Sequence, residues 1–123
     1  MPMQHSDEFL ALVVDAKSRI REATIDQWAF LANGQAILVD VREDNEWMSG
    51  HATGARHLGR GVLERDIVAS VADKEATIVL YCGGGFRSAL AADNLQKMGY
   101  ANVFSLVGGY KAWLQAGLPT EQG

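Results

Sequence analysis

The stretch Tyr81-Cys82-Gly83-Gly84-Gly85-Phe86-Arg87-Ser88 decides how this chain reads. It follows the apolar run of residues 77–81 and precedes residues 89–98, which favour helix and which Gly99 can cap. The order is strand, tight glycine loop, helix. The chain's single cysteine therefore stands where a strand ends and a helix begins. Three glycines beside it lack the side chains that would stop backbone N–H groups from turning inward. The first N–H groups of a helix have no partners within it, and the helix dipole adds partial positive charge there. A thiolate at that point is stabilised, and the thiolate is the reactive form of cysteine. The amides of Gly83, Gly84, Gly85, Phe86 and Arg87 are expected to face the sulfur, with the Arg87 charge beside them.

Two further stretches share a pattern with this loop. One is Leu38-Val39-Asp40-Val41-Arg42 with Glu46-Trp47 and Gly50-His51-Ala52-Thr53-Gly54-Ala55; the other is Gly108-Gly109-Tyr110-Lys111-Ala112-Trp113 through Gly117-Leu118-Pro119. With the loop, they resemble in order and spacing the signatures of the rhodanese family of sulfurtransferases, over roughly residues 23–119. The resemblance implies a double displacement. Cys82 would attack the outer sulfur of a donor such as thiosulfate, hold it as a persulfide, and pass it to a thiophilic acceptor such as cyanide or a thiol. It would need no metal or organic cofactor. Gly83, Gly84, Gly85, Phe86 and Arg87 would bind the substrate, and Arg60 is a candidate to face the mouth of the site and attract an anionic donor. Where the family often has a proline, this chain has Gly59.

Loop length separates reaction classes. Four residues stand between Cys82 and Arg87, whereas cysteine phosphatases and arsenate reductases, some of rhodanese fold, resemble Cys-x5-Arg. A shorter ring suits a single sulfur better than a tetrahedral phosphate, so phosphatase or arsenate reductase is the lesser alternative. A persulfide relay or sensor that hands sulfur to a protein partner needs the same loop and is the closer one.

The rest of the chain fits a covered α/β sheet. Residues 36–40, 77–81 and 103–107 are short unbroken apolar runs, which suit parallel strands buried on both faces. Helical stretches at about 43–48, 63–71 and after Cys82 separate them, so the fold expected is a mainly parallel central sheet flanked by helices on both faces. In such sheets ligands bind beyond the carboxyl ends of the strands, where Cys82 falls. Residues 55–58 suggest a further short strand and residues 22–25 an edge strand. Thr24 and Gln27 form a capping-box pattern for a helix stopping near Gly34. Residues 6–22 read as an amphipathic helix capped by Ser6, an N-terminal extension (1–22) packed on the 23–119 domain, with 120–123 a frayed tail. In the closing segment Tyr110, Trp113 and Leu114 fall at helical spacing, with Gly117 as cap.

At 123 residues the chain has room for one domain. Its net charge of −4 argues against a nucleic-acid or anionic-membrane partner. One cysteine makes no intramolecular disulfide, the first residues lack the apolar core of a signal peptide, and no run reaches the ~18 apolar residues of a membrane span. A cytoplasmic monomer or weak dimer is expected, its partners a small sulfur donor and acceptor. Asp40, Arg42, Glu46 and His51 read as a buried hydrogen-bonding frame, Ser88 as a helix-start cap or, as second choice, a hydrogen-bonding partner of the loop, and the histidines lack zinc-ligand spacing.

Overall fold

The structure, a computed structural model, describes residues 5–123. The part of the expected N-terminal extension at residues 1–4 lies outside them. Five parallel strands form the central sheet: β1 (Arg21–Ala23), β2 (Ile37–Asp40), β4 (Arg56–His57), β5 (Thr77–Tyr81) and β6 (Asn102–Leu106), in the order β1-β6-β5-β2-β4. β5 is central, with β2 and β6 on either side. Its side chains alternate as a doubly covered strand requires. Ile78, Leu80 and the following Cys82 enter one core with Leu63 and Ile67 of α4 (Leu63–Ser70) and Ala91, Ala92 and Leu95 of α5 (Arg87–Lys97). Val79 and Tyr81 enter the other, with Trp28 and Leu31 of α2 (Ile25–Asn33) and Tyr110 and Trp113 of α6 (Gly109–Gln115). The two-sided α/β architecture expected from the alternating pattern is thus the one observed.

Local signals account for several boundaries. The Thr24 hydroxyl accepts from the Gln27 N–H and the Gln27 side chain accepts from the Thr24 N–H, a reciprocal capping box that starts α2. Ser6 accepts from the Phe9 N–H and starts α1 (Asp7–Lys17). Expected as a helix through residue 22, α1 instead ends at Lys17. Residues 21–23 pair in register with 104–106 of β6, because the open edge of β6 offers hydrogen bonds that a surface helix would leave to water. Val13 and Ala16 are buried where α1 lies on α5, while Val14 is 68% exposed.

Three smaller departures follow from packing. β6 begins and ends one residue earlier than expected, leaving Val107 on the surface. Leu114 of α6 is half exposed while Trp113 is buried, its indole N–H donating to the Pro119 carbonyl at 2.9 Å. The tail expected to fray carries β7 (Thr120–Glu121), antiparallel to β3 (His51–Ala52), because the tethered Pro119 delivers it to that strand. No helix of the described residues is long and apolar enough to cross a membrane.

Candidate active site

Cys82 leaves the central strand at its carboxyl end, and the loop after it closes on its own sulfur. The Gly85 N–H donates to Sγ at 3.1 Å and the Ser88 N–H at 3.4 Å. Ser88 lies in the first turn of α5, so the sulfur occupies the place of an N-cap and takes an amide that the helix cannot satisfy itself. Ser88 is therefore not a cap but takes the second role expected of it, a hydrogen bond to the loop. Its hydroxyl lies 3.5 Å from Sγ and 2.7 Å from the hydroxyl of Ser105, and both serines are fully buried. With the thiol protonated, Cys82 donates to Ser88; with the thiolate, the same contact reverses. Ser105 then donates to Ser88 and Ser88 to the sulfur.

The amides of Gly83, Gly84, Phe86 and Arg87, expected to face the sulfur, make no hydrogen bond to it. The ring is too short to aim five donors at one atom: only Gly85 takes a positive φ (+102°), and helical geometry begins at Arg87. From behind, the loop is held by the start of α6. The N–H groups of Tyr110 and Lys111 donate to the carbonyls of Cys82 and Gly83 at 2.7 and 3.1 Å. Gly109, with φ +54°, makes this approach possible, since a Cβ there would fall on the Cys82 carbonyl. With those carbonyls turned back toward α6, the loop turns at Gly85, whose N–H meets the sulfur.

Arg87 forms a bidentate pair with Glu46 of α3 (Asp44–Ser49), at 2.7 and 3.1 Å. The pairing holds the Glu46 carboxyl below its usual range against the opposing effect of partial burial, and raises Arg87 in turn. Asp40 and Arg42 form the buried frame expected of them. Arg42 bonds both Asp40 oxygens and the Gly50 carbonyl, which fixes the chain on which α3 and Glu46 sit. His51 stacks face to face on Trp47 at 3.4 Å, a scaffolding position behind α3.

Cys82 is only 1% exposed, yet it forms the floor of a cavity of about 660 Å³ that Gly84, Phe86, Arg87 and Glu46 also line. Gly83 and Gly85 shape the loop beneath. Arg60 is not in this cavity. Its guanidinium donates to Glu64 at 2.8 Å, one turn along at the start of α4, and its own N–H is tied to the Val41 carbonyl. The expectation that it faces the mouth is overturned by that nearer carboxylate. Three contributors had little or no signal in the sequence. Ser105 had one signal, a lone hydroxyl inside an apolar parallel strand. His5 and Phe9, which complete the cavity wall from the N-terminal extension, had none in the local pattern. Among the described residues no cluster of histidine, cysteine and carboxylate side chains is placed to hold a metal ion.

Known proteins resemble this chain in sequence and fold. A family model described as the rhodanese-like domain matches residues 25–116. The thiosulfate sulfurtransferase GlpE of Haemophilus influenzae is 36% identical over 103 residues, covering 82% of this chain and 94% of that protein. Among solved structures, a protein of unknown function from Rhodopseudomonas palustris, described as a possible tyrosine phosphatase, is 31% identical with a TM-score of 0.80, covering 98% of this chain and 99% of that one. The polysulfide-sulfur transferase homodimer of Wolinella succinogenes is 30% identical with a TM-score of 0.78, covering 94% of this chain and 88% of that one. With the family model spanning most of its length and the glycine loop closed on Cys82 at the end of the central strand, the chain belongs to the rhodanese-like domain family.

Proposed function

We propose that the chain is a sulfurtransferase in which Cys82 carries sulfane sulfur as a persulfide. The observation that carries this reading is the sulfur itself: at a cavity floor, it accepts the Gly85 and Ser88 N–H groups and contacts a buried hydroxyl chain. These donors favour negative charge on sulfur before and after transfer. With thiosulfate as donor, the Cys82 thiolate attacks the outer sulfur. A new S–S bond forms, the bond to the sulfonyl sulfur breaks, and the electron pair leaves with sulfite. In the second half, cyanide or a thiolate takes the outer sulfur and returns the Cys82 thiolate; charge balances without an added oxidant. The names of the Haemophilus and Wolinella relatives agree in reaction class.

Phosphoryl transfer fits less well, whatever the description of the Rhodopseudomonas neighbour. A phosphoryl group needs donors for three oxygens, whereas both convergent amides here are spent on sulfur and Arg87 is engaged by Glu46. The test is thiocyanate formation from thiosulfate and cyanide, run beside hydrolysis of a phenyl phosphate ester. The reading expects the first activity, its loss in Cys82→Ser, and none of the second. Equal thiocyanate rates in the two proteins would overturn it.

A further inference from the structure

The cavity above Cys82 is larger and less basic than a small inorganic dianion calls for. About 660 Å³ lies within the ~300–1,000 Å³ typical of sites that hold organic ligands. One wall is aromatic. The rings of His5 and Phe86 stand 4.7 Å apart, His5 and Phe9 5.0 Å, and Phe9 and Phe86 6.4 Å, all mutually tilted. Two of the three come from the segment around the start of α1, so the N-terminal extension builds part of the site. The lining also carries Glu43 and Glu46, and among the described residues Arg87 is the one arginine or lysine in it. Glu46 already holds that arginine through both of its oxygens. Thiosulfate would bring two negative charges to two carboxylates and one engaged guanidinium, with a further cation, Lys17, standing 5.6 Å from the centre of the Phe86 ring and pairing with Glu22 at 3.6 Å.

Resting on the sulfurtransferase reading, we propose that His5, Phe9 and Phe86 form a subsite for the apolar body of an organic sulfane-sulfur carrier, a ring-bearing one above all. Tilted aromatic rings offer faces and edges to a further ring, and covering that ring removes apolar surface from water. A carrier with a single charge at its sulfur end would direct that end to the loop and its ring to the wall. For a thiosulfonate, R–SO2–S⁻, the Cys82 thiolate attacks the outer sulfur, the S–S bond to the sulfonyl group breaks, and the sulfinate R–SO2⁻ leaves with the electron pair. Phe86 thus links the halves of the site, one residue before Arg87 and in contact with the N-terminal rings.

The experiment measures persulfide formation on Cys82 by quenched intact mass with three probes: thiosulfate, the methanethiosulfonate anion and the benzenethiosulfonate anion. Each rate constant is normalised to the same donor's reaction with free cysteine. The two thiosulfonates carry equal charge, so their ratio reports the ring alone. Wild type is expected to load from benzenethiosulfonate at least about tenfold faster than from methanethiosulfonate, and from thiosulfate slowest. In Phe9→Ala the ratio falls toward unity, and in His5→Ala it falls several-fold, while methanethiosulfonate loading shows that the loop is intact in each. Equal normalised rates in the wild type, or a ratio that survives both substitutions, overturn the subsite while leaving the sulfurtransferase reading in place. Failure of all three donors to load the wild type overturns that reading, and the subsite with it.

Discussion

The Tyr110 N–H donates to the Cys82 carbonyl at 2.7 Å, so the start of one helix sets the peptide plane from which the loop of another departs. Gly109 is the residue that allows it. Gly109→Ala would place a methyl group against the Cys82 carbonyl and strain a φ of +54°. The expected loss of stability is at least about 2 kcal/mol by urea unfolding, with iodoacetamide labelling of Cys82 slowed as the loop shifts. Gly54→Ala is the control. It also has positive φ but meets nothing within 4 Å, so it should lose only about 1 kcal/mol and leave labelling unchanged.

Ser88 and Ser105 make a prediction about reactivity rather than fold. Removing a hydroxyl that donates to a charged sulfur forfeits about 1.5 kcal/mol or more, so Ser88→Ala should slow alkylation of Cys82 at pH 7 about tenfold. Ser105→Ala leaves Ser88 in place but removes the donor behind it, and an effect of about threefold is expected. Stopped-flow alkylation with iodoacetamide distinguishes the two. An unchanged rate in Ser88→Ala would show that the hydroxyl is only packing.

The Glu46–Arg87 pair gives a pH signature. Because Arg87 holds the Glu46 carboxyl below its reference value of 4.5, the pair stabilises the folded chain fully above that value. The contribution is lost as pH falls through the lower folded value. Both side chains are about a third exposed, so the advantage of wild type over Glu46→Gln should be under about 1 kcal/mol at pH 7 and fade below about pH 4.5 in urea titrations. The same substitution frees the guanidinium and removes a carboxylate from the rim. It should raise kcat/KM for thiosulfate by about threefold to tenfold; a fall would mean that Glu46 is needed to aim Arg87.

α1 is tied to α5 by Arg19, which donates to both Asp93 oxygens at 3.0 and 2.7 Å. The pairing holds Asp93 below the ordinary carboxylate range. Asp93→Ala should accelerate hydrogen exchange of the α1 amides about tenfold and leave those of central β5 unchanged. Equal protection in α1 would show that packing of Val13 and Ala16 alone seats the helix.

Elements whose signals are local were legible in the sequence. The apolar run ending at Cys82 is the central strand, Thr24 and Gln27 cap as expected, and the glycine loop closes on the sulfur. What escaped depends on partners distant in sequence. The edge strand expected at 22–25 is present, drawn to 21–23 by the open edge of β6, whereas residues 120–121, expected to fray, became strand because β3 had an edge to offer. Arg60 turned away from the site because Glu64 lies one helical turn along, a choice between two plausible partners that spacing cannot make. Ser88 looked like a cap since its place after the loop suits one; only the sulfur's position shows that Cys82 fills that role. The aromatic wall joins residues about eighty positions apart, and nothing near either end announces the other.

The most direct measurement is the intact mass of the protein after incubation with a sulfane-sulfur donor and removal of excess reagent. A gain of one sulfur atom is predicted, reversed by cyanide and absent in Cys82→Ser. An unchanged wild-type mass with every donor tried, or the same gain in Cys82→Ser, would contradict the claim that Cys82 carries the sulfur.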